Sequence, residues 1–96
     1  MTAEPYELVI TSTALRALSA APPRGVAERV AWVVYEFVQG PLVAAPYRVG
    51  KPLAAPLAGT LSARRGTFRV LYEVDDGSRT VTVTAVQHRA EAYRRR

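Results

Sequence analysis

The apolar positions of this chain change their period several times between the first strand and the last. From Tyr6 to Ile10 ("YELVI") they alternate well enough to predict a first strand, and Thr11 to Thr13 close it and supply a hydroxyl to cap the next element. In "TALRALSA" Leu15 and Leu18 fall three apart, the spacing of a short helix that Pro22 and Pro23 stop. From Pro23 to Gln39 the helical spacing is clearest: Val26, Val30, Val33, Val34 and Phe37 recur on one side, with Pro at the start and Gly40-Pro41 at the end. That apolar face is wide, and a packed core explains it better than a membrane or cofactor surface.

Between Gly40 and Leu57 the pattern breaks. Pro41, Pro46, Pro52 and Pro56 punctuate the segment, which predicts a long irregular connection, and such connections are commonly functional. It carries "YRVGKPL", Tyr47 to Leu53. A strand then runs from about Leu57 to Arg64, followed by a hairpin of two alternating strands with Asp76-Gly77 as its turn. The expected fold is α+β: one domain over residues 1–96, a small twisted antiparallel sheet of about four strands with two N-terminal helices on one face.

Register converts the hairpin into geometry. With Asp76 and Gly77 as the centre of a two-residue turn, Asp75 faces Ser78, Tyr72 faces Val81, Val70 faces Val83 and Phe68 faces Ala85. That apolar face belongs on the helices. The opposite face then carries Arg69 across from Thr84, with Leu71, Thr80, Thr82 and, continuing the alternation, His88. On the preceding strand Thr60, Ser62 and Arg64 share one parity and Leu57, Leu61 and Ala63 the other, which adds Arg64 to the polar face.

Composition narrows what that face can do. The chain has 96 residues, 49% of them hydrophobic, enough for one modest core. It has no cysteine and a single histidine, which excludes a disulfide framework, a thiolate nucleophile and a His-based metal cage. No run approaches the roughly 18 to 20 apolar residues of a membrane span, and "MTAEPYELVI" has no basic start followed by an apolar signal region. A soluble intracellular, cytoplasmic protein without a metal or cofactor is expected. The formal charge is +5, and all of it lies in residues 49–96, where nine bases meet Glu73, Asp75, Asp76 and Glu91. Twelve of the thirteen bases are Arg, whose planar fork binds phosphate bidentately. Such asymmetry suits a polyanionic partner, although a merely solvated Arg-rich surface has the same composition.

A sheet face bearing Arg64, Arg69 and His88, approached by Arg89, Tyr93 and the loop residues Arg48 and Lys51, has the groups needed to hold and cleave a phosphodiester. RNA cleavage needs a base for the 2′-hydroxyl, positive charge for the pentavalent phosphate and an acid for the leaving 5′-oxygen. His can serve as base, Arg and Lys as the clamp, and Tyr or Arg as acid or orienter. On residue types alone the bland alternatives stand beside this: a solvated histidine at a strand end, Tyr93 as an aromatic lid on the core, and Arg94 to Arg96 as a frayed tail.

The order and spacing of "RVGKPL", "LAGTLSARRGTFRVLYEVDDG" and "VTVTAVQHRAEAYR" resemble the RelE/ParE superfamily of bacterial toxin–antitoxin toxins, and its RelE branch in particular. The similarity runs from Arg48 to Arg94, and the strand, short helix and long helix before it agree. The family fold is a small twisted antiparallel sheet with two helices on one face. Its RelE members bind in the ribosomal A site and cut mRNA, leaving a 2′,3′-cyclic phosphate or 3′-phosphate and a 5′-hydroxyl, and they pair with a cognate antitoxin. The resemblance implies that Arg69 in "TFRVLY" is the phosphate-stabilising Arg of the central strand, Arg89 the Arg at the end of the last strand and Tyr93 the C-terminal Tyr. Arg64 or Arg65 would be the basic residue before the turn. His88 resembles the His that some branches use as acid or base. One departure stands out: where well-known members carry two lysines on the strand before the Arg, this chain has Thr60 and Ser62. Either Lys51 and Arg48 compensate or the activity is weakened. A ParE-like toxin that poisons DNA gyrase, or a non-catalytic basic RNA-binding module, would share the fold without needing the cleavage residues.

Overall fold

The computed structural model describes residues 5–19, 28–54 and 59–88. Its first strand, β1, is Glu7–Ile10, and the helix α1, Ser12–Ser19, begins after one residue. That residue, Thr11, makes three connections besides accepting the first helical hydrogen bond, from Leu15. Its side-chain oxygen accepts the N–H of Ala14, capping α1 (3.2 Å), its hydroxyl donates to the Thr84 carbonyl (3.3 Å), and its backbone N–H donates to the Val83 carbonyl (3.0 Å). The helix start is therefore stitched to the strand that it covers.

Helix α2 spans Glu28–Phe37 and buries Ala31, Val34 and Phe37. Val30 is half-buried, but Val33 and Trp32 are exposed, so the buried stripe is narrower than the sequence pattern suggests. Val26 and the expected helix start at Pro23 lie outside the described residues. The α-helix does not stop at Gly40-Pro41. It passes into a π-helical turn, Val38–Leu42, with Pro41 inside it. Proline has no N–H to give to the carbonyl four residues back and its ring crowds that carbonyl, and a widened turn accommodates both problems.

The proline-rich connection is correspondingly more regular than expected. After the π turn comes a single-turn helix, α3 (Pro46–Val49), and then a two-residue strand, β2 (Lys51–Pro52). The strands β3 (Leu61–Arg65), β4 (Phe68–Asp75) and β5 (Thr80–His88) complete a five-stranded sheet in the order β1-β5-β4-β3-β2. The α+β class is as expected, with two differences in detail: the sheet has five strands, and β1 pairs with β5 in parallel while the other pairings are antiparallel. Leu57, the expected start of the third strand, lies outside the described residues.

One face of the sheet packs under the helices. Leu61 and Ala63 of β3, Phe68, Val70 and Tyr72 of β4, and Val81, Val83 and Val86 of β5 are buried with Ala14, Leu18, Ala31, Val34, Phe37 and Val38. The β3–β4 turn is the two-residue Gly66-Thr67, where Gly66 takes a left-handed φ of 58° that a side chain would strain. At Gly50 the demand is steric instead: a Cβ there would run into the hydroxyl and ring of Tyr72 and lie 3.0 Å from the Ser62 carbonyl oxygen. The Gly of "VGKP" is thus the gap through which α3 and β2 approach the sheet. Tyr72 fills that gap, fully buried, with its hydroxyl donating to the Pro46 carbonyl. Burial pushes its phenol up to about 12.

The β4–β5 register corrects the expected one in two places. The turn is four residues long, Asp76 to Arg79, so Asp75 faces Thr80, Val74 faces Val81 and Tyr72 faces Val83. Asp75 causes this: its carboxylate accepts the N–H groups of Gly77 (2.9 Å) and Ser78 (3.3 Å) and folds the chain into a wider loop, which closes through Arg79 at φ 52°. A two-residue slip leaves every side chain on its expected face. The second correction does not. Tyr72 faces Val83 but Leu71 faces Ala85, so Thr84 is an extra residue on β5, a β-bulge that reverses the parity of everything after it. The Thr84 hydroxyl donates to the Leu71 carbonyl (3.3 Å), tying the bulge to β4.

Candidate functional site

On the sheet face away from the helices, the bulge decides which residues meet. Arg64 of β3 lies directly across from Arg69 of β4, and Arg69 directly across from Gln87 of β5. Directly opposed residues on neighbouring strands hold their Cβ atoms about 4.5–5.5 Å apart, so two guanidinium stems and an amide form one row across three strands. Arg64 is exposed, and Arg69 and Gln87 are half-buried. Among the described residues neither arginine has a carboxylate in salt-bridge range. Like charges set directly opposite each other destabilise a sheet, by about 0.2–1 kcal/mol on the scale of cross-strand pairs. This arrangement is costly when the face is empty and favourable when an anion lies across it.

The next row toward the hairpin turn is Lys51, Ser62, Leu71 and Ala85, from β2 to β5. Lys51 is exposed at its edge, and Ser62, Leu71 and Ala85 are half-buried. Lys51 therefore stands beside Ser62, one of the two positions where the expected paired lysines are missing. Arg48 is exposed on α3, off the sheet.

Arg64 and Arg65, which sequence spacing leaves open, separate cleanly. Arg65 pairs with Phe68 on the helix side of the sheet, and its guanidinium lies over the Phe37 ring, 4.7 Å from the centroid. It roofs the end of the core, while Arg64 shares the face of Arg69. His88 changes place. Its backbone pairs with Phe68, the parity of the core positions, and Gln87 takes the position beside Arg69 expected for Thr84. The bulge at Thr84 is the physical reason for both corrections. Arg89 and Tyr93 lie outside the described residues.

Gln87 is the residue that sequence reasoning missed, yet a signal was present. The valines of "VTVTAV" sit at 81, 83 and 86, two apart and then three, and that break in alternation is where a strand accommodates a bulge.

A second polar cluster, also missed, sits at the other end of β4. The hydroxyls of Tyr6 and Tyr47 both donate to the carboxylate of Asp76, one to each oxygen, with Tyr47 at 2.7 Å. Arg79 stacks over the Tyr6 ring, 4.3 Å from its centroid. The two hydrogen bonds hold the Asp76 carboxyl below its ordinary value. In turn, chiefly through the bond to Asp76, the Tyr6 phenol is raised and that of Tyr47 is pushed up to about 12. This cluster ties β1, α3 and the β4–β5 turn together. No helix among the described residues is long and apolar enough to cross a membrane.

A five-stranded sheet carrying helices on one face is the architecture of a known class of protein. A family model described as the ParE toxin of type II toxin–antitoxin systems, parDE, matches residues 10–93, and the chain belongs to this RelE/ParE superfamily of type II toxins. Its relatives include the toxin RelG of Mycobacterium tuberculosis, 52% identical over 91 residues that span 95% of this chain and 99% of the relative. The toxin RelE of the same organism is 44% identical over 90 residues, 94% of this chain and 88% of the relative. Among solved structures, the toxin–antitoxin complex RelBE2 of M. tuberculosis contains a chain with a TM-score of 0.80 and 49% identity, covering 90% of this chain and 100% of that one.

Proposed function

We propose that this toxin is a ribosome-dependent mRNA endoribonuclease. The observation that carries the reading is the row formed by Arg64 and Arg69 on the face away from the helices, two opposed cations whose repulsion a bound anion would relieve. The RelG and RelE relatives favour the same branch. In the proposed reaction the RNA's own 2′-oxygen attacks the adjacent phosphorus, the bond from phosphorus to the 5′-oxygen breaks, and a 2′,3′-cyclic phosphate and a 5′-hydroxyl result. One proton leaves the 2′-hydroxyl and one reaches the 5′-oxygen. Arg69 stabilises the pentavalent phosphate, Arg64 and Lys51 hold the backbone on either side, and Arg48 adds charge from α3. Arg65, stacked on Phe37, contributes a more distant positive charge. Arg89 and Tyr93 are proposed for transition-state charge and proton transfer on the strength of the family resemblance. The expected base, His88, is in register with Phe68 and off the parity of Arg69, so the geometry does not assign it that role; a loss of cleavage of about 10²- to 10⁴-fold in His88→Gln with RNA binding retained would restore it.

The same reading implies a cytoplasmic toxin held in check by a cognate antitoxin; the M. tuberculosis RelBE2 relative is a toxin–antitoxin complex. Because the matching family model is that of ParE toxins, gyrase poisoning is the competing reading. Primer extension on a translated mRNA separates the two: the expected result is new 5′ ends within the reading frame when toxin is added to translating ribosomes. Intact mRNA together with toxin-dependent DNA damage would establish the gyrase reading instead.

A further inference from the structure

We propose that Gln87 is a substrate-binding residue, the third arm of a phosphodiester cradle completed by Arg64 and Arg69. The inference rests on the RNA reading above and adds a residue that the resemblance did not supply. Three observations converge on it. The register sets Gln87 directly across from Arg69, which is itself directly across from Arg64, so the three share one row on the exposed sheet face. Gln87 is half-buried, yet among the described residues its amide makes no hydrogen bond. The bulge at Thr84 is what turns it to this face. Without that extra residue, position 87 would fall on the core side, where an amide would be buried among valines and phenylalanine.

The chemistry of the amide suits the place. A third guanidinium would raise the repulsion already present between Arg64 and Arg69, and a carboxylate would neutralise Arg69 and repel a phosphate. A glutamine does neither. Its carbonyl oxygen can accept a guanidinium N–H of Arg69 while its NH2 donates to a non-bridging phosphate oxygen, so one side chain both steadies the clamp and extends it. Adjacent strands lie about 4.7–4.9 Å apart, so the row is about 10 Å wide, and the long arms of Arg64 and Arg69 can converge with Gln87 on one phosphate.

The test is binding of a single-stranded RNA oligonucleotide made non-cleavable by a 2′-deoxy substitution, measured over a salt series for the full chain and for Gln87→Ala, Gln87→Glu and Gln87→Arg. Gln87→Ala is expected to weaken binding by about 10- to 100-fold, the scale of a hydrogen bond to a charged group. Gln87→Glu should weaken it further, and Gln87→Arg should bind at least as well as the parent, steepening the log–log salt slope by about 0.7 for one more phosphate contact. That ordering separates an RNA contact from a structural role, in which all three substitutions would act alike and through thermal stability. Equal affinities and equal slopes for the parent and all three variants would overturn the proposal, as would a parent protein that fails to bind the oligonucleotide at low salt. The endoribonuclease reading can fail separately: if translated mRNA stays intact while oligonucleotide affinity falls in the order Arg, Gln, Ala, Glu, the cradle stands and the cleavage reading falls.

Discussion

The two ends of the β4–β5 ladder handle their polar groups in opposite ways. At the turn end, Asp76 accepts hydrogen bonds from Tyr6 and Tyr47, and Arg79 stacks on Tyr6, so each charged or phenolic group has a partner within the protein. At the other end, about 20 Å along the strand at roughly 3.4 Å per residue, Arg64 faces Arg69, neither with a carboxylate among the described residues, and Gln87 stands beside them. The first arrangement closes a fold: it joins three elements and leaves nothing for a ligand to take. The second is a local violation of pairing rules, and such violations cluster where a protein acts on something else.

Substitutions at the two ends should therefore separate activity from stability. The largest effect is expected from Arg69→Ala, a loss of cleavage of about 10²- to 10³-fold, the scale of removing one preorganised transition-state donor. Thermal unfolding should show no fall in Tm, because one of two opposed guanidiniums is removed. A variant that unfolds early instead would make Arg69 part of the scaffold and erase the contrast.

A substitution between the ends should do the reverse. Gly50→Ala places a methyl group against Tyr72, which cannot swing aside while it is fully buried and donating to Pro46. Overpacking of this kind costs about 1–3 kcal/mol. For a chain of this size that lowers Tm by about 4–8 °C per kcal/mol, readable by calorimetry. An unchanged Tm would mean that α3 and β2 are free to move off the sheet and that Lys51 is not held in its row.

The smallest effect is expected from Asp76→Asn, and pH reveals it. The folded-state pKa of Asp76 is depressed, so its contribution is present above the ordinary carboxylate range and is lost as pH falls through that range toward the folded value. The Tyr47 phenol is raised from 10.0 to about 12, so its contribution is present below 10.0 and is lost as pH rises toward 12. The parent should thus exceed Asp76→Asn in Tm by a small margin near neutral pH, and the margin should shrink at both extremes. Tyr72 titrates in both proteins and cancels in the difference. A margin that does not vary with pH would show that the clamp is not held by that carboxylate.

Much of this was legible in the chain. Alternation in β4 put Phe68, Val70 and Tyr72 inward and Arg69 outward, and the parity of β3 put Arg64 with it. Helical spacing found Val34 and Phe37, and Thr11 to Thr13 contained the cap. These are local matters, because a pleat or a helical turn fixes side-chain direction from the neighbouring residues alone. The ordered sequence of short motifs then pointed to the toxin superfamily without any geometry.

Pairing between distant segments is a different kind of fact. Asp76-Gly77 reads as a tight turn, but the Asp75 carboxylate opens it to four residues, and only the ladder shows where the register settles. The extra residue at Thr84 is held by Thr11, more than seventy residues away in sequence. That contact requires β1 to lie parallel beside β5, which no local pattern announces. The consequence is out of proportion to the cause: one unpaired residue moves Gln87 to the face of Arg69 and sets His88 in register with Phe68. Side-chain period along a strand is written in the sequence, whereas the phase of that period relative to its neighbours is a property of the assembled sheet.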